Sequence, residues 1–197
     1  MVLCRWSTPP TTSVQIQRRV QAWLAGQPYS KQYDPVPMSQ ISLSLQHAVV
    51  AAEDTRFFQH RGFDWVEVEK VMEERNESGH ISRGASTITQ QLVKNLFLST
   101  ERSFVRKGIE ASLVPVMEAV LTKDRILNLY LNVIEWGPGV YGVQAASEHY
   151  YQKDASRVSR AEAARLAAVI PAPLHRRPTQ MGGYAAEILA RMTTMGW

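Results

Sequence analysis

A chain of 197 residues, 45% of them hydrophobic, is long enough to bury one substantial core and short for two, so one compact domain is expected. Its 22 Lys+Arg against 18 Asp+Glu leave a net charge of +4, which suits anionic membranes, phosphates and nucleic acid alike and singles out none of them. The one cysteine, Cys4, excludes an intramolecular disulfide and a Cys-rich metal site.

The first residues, MVLCRWSTPPTTS, lack the apolar core of a signal peptide, and no stretch approaches the roughly 18 consecutive apolar residues of a spanning helix. Their Thr/Pro content reads as a disordered linker over residues 1–13, with a folded domain over 14–197. Val14 to Leu24 reads as an amphipathic helix ending at Gly26, and Pro28 to Pro37 as a loop. From Ser44 the run LQHAVVAAED has helical spacing and carries Glu53 and Asp54 at its C-terminal end. Carboxylates there oppose the helix dipole, so they are either solvated end charges or present for another reason.

Asp64 with Glu67 makes a capping box for a helix carrying Val68, Val71 and Met72, and ERNESGHISRG reads as a mobile polar loop. In the helix that follows Ser86, Ile88, Leu92 and Leu96 form an apolar stripe, while Thr87, Gln91, Lys94 and Asn95 share a face free to bind or to be solvated. From Ser103 the next helix places Val105, Ile109, Leu113, Val116 and Val120 toward the core, with Pro115 inside it. Arg102, Arg106 and Glu110 recur at i, i+4, i+8. That row is either a surface ladder or a cationic clamp, with Lys107 beside it, able to grip phosphate.

A helix over Lys123–Ile134 has Ile126, Leu127, Tyr130 and Leu131 on its apolar side and is broken by EWGPGVYG. Ser159 and Glu162 box the start of an Ala-rich helix that PAPLHRRP ends, and a last helix spans Tyr184 to Met195. No strand pattern of useful length and no internal repeat is present, so the class is mainly α. The tryptophans and the pair Tyr150–Tyr151 read as core.

Five blocks occur in order: EDTRFFQHRG at 53–62, GASTITQQLVKN at 84–95, RKGIE at 106–110, KDRILNLYLNVIEWGPGVYGVQAASEHYY at 123–151, and EAARLAAVIPAP at 162–173. Together they closely resemble the sequence blocks of glycosyltransferase family 51, the peptidoglycan transglycosylases, and the likeness runs from about Pro9 to Trp197. The resemblance implies a lysozyme-like, bilobed helical domain with a head and a smaller membrane-facing jaw. It implies polymerisation of lipid II into β-1,4 glycan strands, with inversion and release of undecaprenyl pyrophosphate, at the periplasmic face of the bacterial inner membrane.

On the matching positions, Glu53 is implied as catalytic base and Glu110 as the second catalytic acid near the diphosphate. Substrate contacts are implied for Asp54, His60, Ser86, Gln91, Lys94, Asn95, Arg102, Arg106 and Lys107, with His60 equally readable as a structural hydrogen-bonder. Charge compensation of the leaving group falls to Lys94, Arg102, Arg106 and Lys107. No cofactor is required and no dedicated metal site is indicated, although a divalent cation such as Mg²⁺ is admitted at the pyrophosphate. The implied partners are lipid II, the growing glycan chain, an anionic membrane surface and other wall-synthesis proteins. Lipid contact would come from the jaw, residues 63–83 and 96–105, where Trp65, Phe97, Leu98 and Phe104 are apolar. Members of the family usually carry an N-terminal membrane anchor, so residues 1–13 read as the linker after a missing one.

Three other readings compete. A lysozyme-like hydrolase or lytic transglycosylase would also use a carboxylate in a helical cleft but has no need of the cations at 94, 102, 106 and 107. A non-catalytic lipid II binder has no need of both acids. A nucleic-acid binder is disfavoured because the positive residues form no continuous strip.

Overall fold

The structure, a computed structural model, describes residues 1–78, 84–101 and 103–197, so Arg102 and residues 79–83 of the expected polar loop lie outside the described residues. Nine α-helices occur among the described residues: α1 (Ser13–Leu24), α2 (Leu43–Glu53), α3 (Trp65–Ser78), α4 (Ile88–Phe97), α5 (Phe104–Val120), α6 (Lys123–Val133), α7 (Val143–Tyr151), α8 (Arg160–Ala167) and α9 (Gly182–Thr194). The mainly helical class read from the sequence is the class observed. Local chemistry sets most helix starts. Thr12, Ser42, Thr87, Thr122 and Ser159 each accept the N3 backbone N–H of the helix they precede. Thr87 with Gln90 and Ser159 with Glu162 complete reciprocal capping boxes.

The packing centres on α4, which lies against α1, α5 and α6, while α2 packs against α8 and α9. Ile88, Leu92, Val93 and Leu96 of α4 are buried, as is every residue of α6 from Ile126 to Val133. Burying each Leu, Ile or Val of this set contributes about 1.5–3 kcal/mol, enough to hold the less buried side of α4, with Gln91 and Lys94, in one place.

The segment read as a shaped turn after α6 is a small sheet. Strands β1 (Gln32–Tyr33), β2 (Glu135–Gly137) and β3 (Val140–Tyr141) lie in the order β1-β3-β2, with β1 parallel and β2 antiparallel to β3. The register pairs Gln32 with Val140 and Glu135 with Tyr141. Gly139 has φ +72°, and a Cβ there would stand 2.1 Å from the Ser30 carbonyl oxygen, so the hairpin requires glycine at that position.

Several expectations need correction. Residues 1–13 are docked: Cys4 is buried, its carbonyl accepts Arg125 Nε at 2.7 Å, and the Tyr33 hydroxyl reaches the Pro9 carbonyl at 2.7 Å. Polar residues 74–78, expected in the loop, complete α3. In α5 the buried residues are Glu110, Val114 and Met117; of the expected stripe, Leu113 and Val120 pack half-buried against the core, whereas Val105, Ile109 and Val116 are exposed. That helix is apolar around much of its circumference, so spacing alone does not fix its rotation; its packing against α4 does. Trp136 is fully buried, whereas Trp6, Trp23 and Trp65 are exposed. Helix α7 was not anticipated.

Candidate active site

Helix α2 delivers Glu53 and its C-cap, Asp54, to the N-terminus of α4. The unfavourable charge at one helix end is thereby explained by the other. Asp54 Oδ2 accepts the Ile88 N–H at 3.0 Å, the first amide of α4, so the carboxylate faces the positive end of a second dipole. His60 Nε2 donates to the same carboxylate at 2.9 Å, while His60 Nδ1 accepts the Gly62 N–H at 3.1 Å. An amide can only donate, so the proton belongs on Nε2 and the ring is committed to holding Asp54. Gly62, at φ +93°, leaves no space for a side chain: a Cβ would stand 2.4 Å from Val114. Its carbonyl accepts the Thr87 hydroxyl at 2.7 Å, tying the α2–α3 turn to the α4 cap.

Glu53 opens on one side to a cavity and is surrounded by protein on the others. Gln91, one turn into α4, donates from Nε2 to Glu53 Oε2 at 2.7 Å, and its Oε1 accepts the Tyr130 hydroxyl at 2.9 Å. Burial pushes the Glu53 carboxyl above its usual range, and the nearby Asp54 charge adds to this; the Gln91 hydrogen bond and the charges of Lys94 and Arg176 oppose it. Burial with a specific set of partners is what tunes a carboxylate toward proton transfer near neutral pH.

The cavity holds about 930 Å³ and runs from Glu53 and Asp54 past Ser86, Thr87, Gln91 and Lys94 to Arg176, with Tyr184, Glu187 and Arg191 of α9 on the opposite wall. Lys94 lines it, whereas Glu110, Arg106 and Lys107 do not. Lys94 connects the two regions. Burial lowers its pKa, the charges of Glu110 and Glu53 on either side raise it, and Arg106 and Lys107 lower it. Glu110 is 3% exposed and ion-paired with Arg106 Nη1 at 2.8 Å and with Lys107 Nζ.

The sequence-expected residues are thus only partly gathered. Glu53, Asp54, Ser86, Gln91 and Lys94 line one cavity, and Glu110, Arg106 and Lys107 form a charged group beyond it on α5. Two expected substrate contacts face elsewhere: His60 sits behind Asp54, and the Asn95 amide bonds back to the Gln91 carbonyl at 2.8 Å. Asp54, His60 and Asp64 bring ligand atoms within 4.8 Å of one another. Asp64, however, caps α3 through the Glu67 N–H and lies 3.4 Å from Arg56, and Asp54 is occupied as above, so these groups serve the fold.

Sequence reasoning missed Tyr130, Arg176, Tyr184, Glu187 and Arg191. A signal existed for Tyr130: a tyrosine on an apolar helix face needs a partner for its hydroxyl. None pointed to α9. The Arg176 and Arg191 guanidiniums flank the Tyr184 ring at 5.6 and 5.8 Å, a cation–π arrangement that depends on tertiary packing.

Residues 18–195 match the protein family described as Transglycosylase. A biosynthetic peptidoglycan transglycosylase of Pseudomonas aeruginosa is 43% identical over 197 residues, covering 100% of this chain and 84% of that protein. One from Pseudomonas putida is 44% identical over 187 residues, and one from Shigella boydii 47% over 192, each covering 95% of this chain and 79% of the relative.

Proposed function

This chain belongs to the transglycosylase family, and we infer that it is a peptidoglycan glycosyltransferase that polymerises lipid II into β-1,4 glycan strands in cell-wall synthesis. Glu53 is the general base. It takes the proton of the acceptor sugar's 4-hydroxyl as that oxygen attacks the donor's anomeric carbon. The bond to the pyrophosphate oxygen breaks, undecaprenyl pyrophosphate leaves with the bonding electron pair, and the anomeric centre inverts from α to β. The proton ends on Glu53. Because pyrophosphate leaves as a stable anion, charge compensation rather than a strong acid is required, and Lys94 supplies it from the cavity wall.

Glu110 holds Arg106 and Lys107 close behind Lys94, so that the cations share one region despite mutual repulsion. A divalent cation such as Mg²⁺ would enter with the pyrophosphate as part of the substrate. Ser86 and the α9 wall contact the sugars. The reaction belongs at the periplasmic face of the inner membrane, and the exposed apolar residues Trp65, Phe97 and Phe104 are suited to lie on the lipid.

The single observation that carries this reading is the Glu53 carboxylate, desolvated yet hydrogen-bonded by Gln91, opening onto a cavity that also holds Lys94. A hydrolase of neutral glycosidic bonds has no use for the cationic group. Incubating the detergent-solubilised protein with labelled lipid II, with and without lysozyme digestion of the product, separates the readings. Lysozyme-sensitive polymer is expected. Shortening of preformed glycan without consumption of lipid II would reassign the protein to cleavage.

A further inference from the structure

We propose that Tyr130 is a positioning residue for the catalytic base, its hydroxyl fixing the orientation of the Gln91 amide that in turn holds the Glu53 carboxylate. The proposal rests on the reading of Glu53 as base.

The chain of contacts is direct and crosses three helices: Tyr130 of α6 donates to Gln91 Oε1 at 2.9 Å, and Gln91 Nε2 of α4 donates to Glu53 Oε2 of α2 at 2.7 Å. An amide can present either its oxygen or its nitrogen to a carboxyl. With nitrogen forward it donates and favours the ionised base; with oxygen forward it accepts and favours the protonated acid. Turning the amide over would strip the fully buried Tyr130 hydroxyl of the acceptor it uses. Such a loss is costly in a dry interior, so Tyr130 locks the orientation that keeps Glu53 ready to accept a proton. Burial also holds the phenol well above its ordinary pKa, so it remains a donor throughout the working range.

The other charged groups near Glu53 do not fix that amide. Asp54 follows it in the chain, Lys94 acts from α4 and Arg176 from the segment after α8. Glu67 of α3 and Glu187 and Arg191 of α9 stand on the cavity wall.

Tyr130→Phe keeps the ring and removes only the hydroxyl. Carbon-13 NMR titration of the Glu53 carboxyl and the pH dependence of lipid II polymerisation are measured for wild type, Y130F, Gln91→Leu and the double variant. We expect Y130F to raise the Glu53 pKa by about half a unit to one unit and to lower kcat at neutral pH by up to about three- to tenfold, with KM little changed. In the Q91L background, Y130F should add nothing, because its effect passes through that amide. An unchanged carboxyl titration and acid limb in Y130F, or full additivity with Q91L, overturns the proposal. Should Y130F not fold, Q91L alone must raise the Glu53 pKa, and an unmoved value there overturns it equally. A shifted titration in a protein whose wild type polymerises nothing would leave the positioning role standing and remove the proposed reaction instead.

Discussion

Glu53 has a folded-state pKa above its unfolded value, because burial penalises its ionised form more than Gln91, Lys94 and Arg176 relieve it. The sign follows directly. The native state binds the proton more tightly than the unfolded chain does, so this group's contribution to stability is present at low pH and is lost as pH rises through the raised pKa. Activity runs the other way: kcat/KM should fall as pH drops through that same value, since a protonated Glu53 accepts nothing. A pH–rate profile whose acid limb lies above the ordinary carboxylate range checks this. Lys94 makes a second prediction. Replacing it by Ala should cost about 1.5–3 kcal/mol of transition-state stabilisation, roughly 10–100-fold in kcat/KM for lipid II, with little change in the unfolding midpoint. Spacing alone left Glu53, Gln91 and Lys94 open between solvated charge and binding site; the five-block resemblance singled them out, and the fold brings all three to one cavity. Asn95 met the same criterion and turned out to bond its own helix, since a residue type does not reveal its rotamer.

Helix starts were easier to read than helix rotations. The Ser159–Glu162 box was visible as a four-residue pattern, and the structure adds Lys153, whose Nζ reaches Glu162 Oε1 at 2.6 Å. These partners depress the Glu162 pKa to about 2, with the Lys153 hydrogen bond the largest cause. Its folded pKa lies below the unfolded one, so its stabilisation is present above the ordinary carboxylate range and disappears as pH falls through about 2. Glu162→Ala should therefore destabilise by about 1 kcal/mol at pH 7 in urea unfolding, and the difference from wild type should vanish in strong acid. The rotation of helix α5 was only partly legible because its apolar residues surround most of the axis, and packing against α4, whose Lys94 feels the Glu110 charge, decides which of them turn inward. The consequence is an outward face on which Phe104 is 99% exposed beside Val105. Phe104→Ser should reduce flotation with anionic liposomes several-fold without altering the unfolding midpoint; equal flotation of both proteins would exclude this face from lipid contact.

At the scale of the molecule, the sequence conveys a helical domain of one core because amphipathic spacing and caps are local signals. It does not convey the β1-β3-β2 sheet, whose strands of two or three residues are defined by register across distant segments, nor the docking of residues 1–13 through Cys4 and Pro9. The cavity is a tertiary object of the same kind. α2 and α4 bring the acid and its amide, α6 supports them from behind, and α9 closes the far wall. The central claim is that this assembly exists to keep one desolvated carboxylate ionised against an attacking hydroxyl. Glu53→Gln tests it most directly, with lipid II consumption and thermal unfolding measured on the same preparations. Gln preserves size, can still accept the Gln91 hydrogen bond, and removes a charge that opposes the α2 dipole by about 0.3–1 kcal/mol. The account predicts a folded protein, as stable as wild type or more so, that binds lipid II and makes no polymer. A well-folded Glu53→Gln protein that consumed lipid II at a near-normal rate would contradict it.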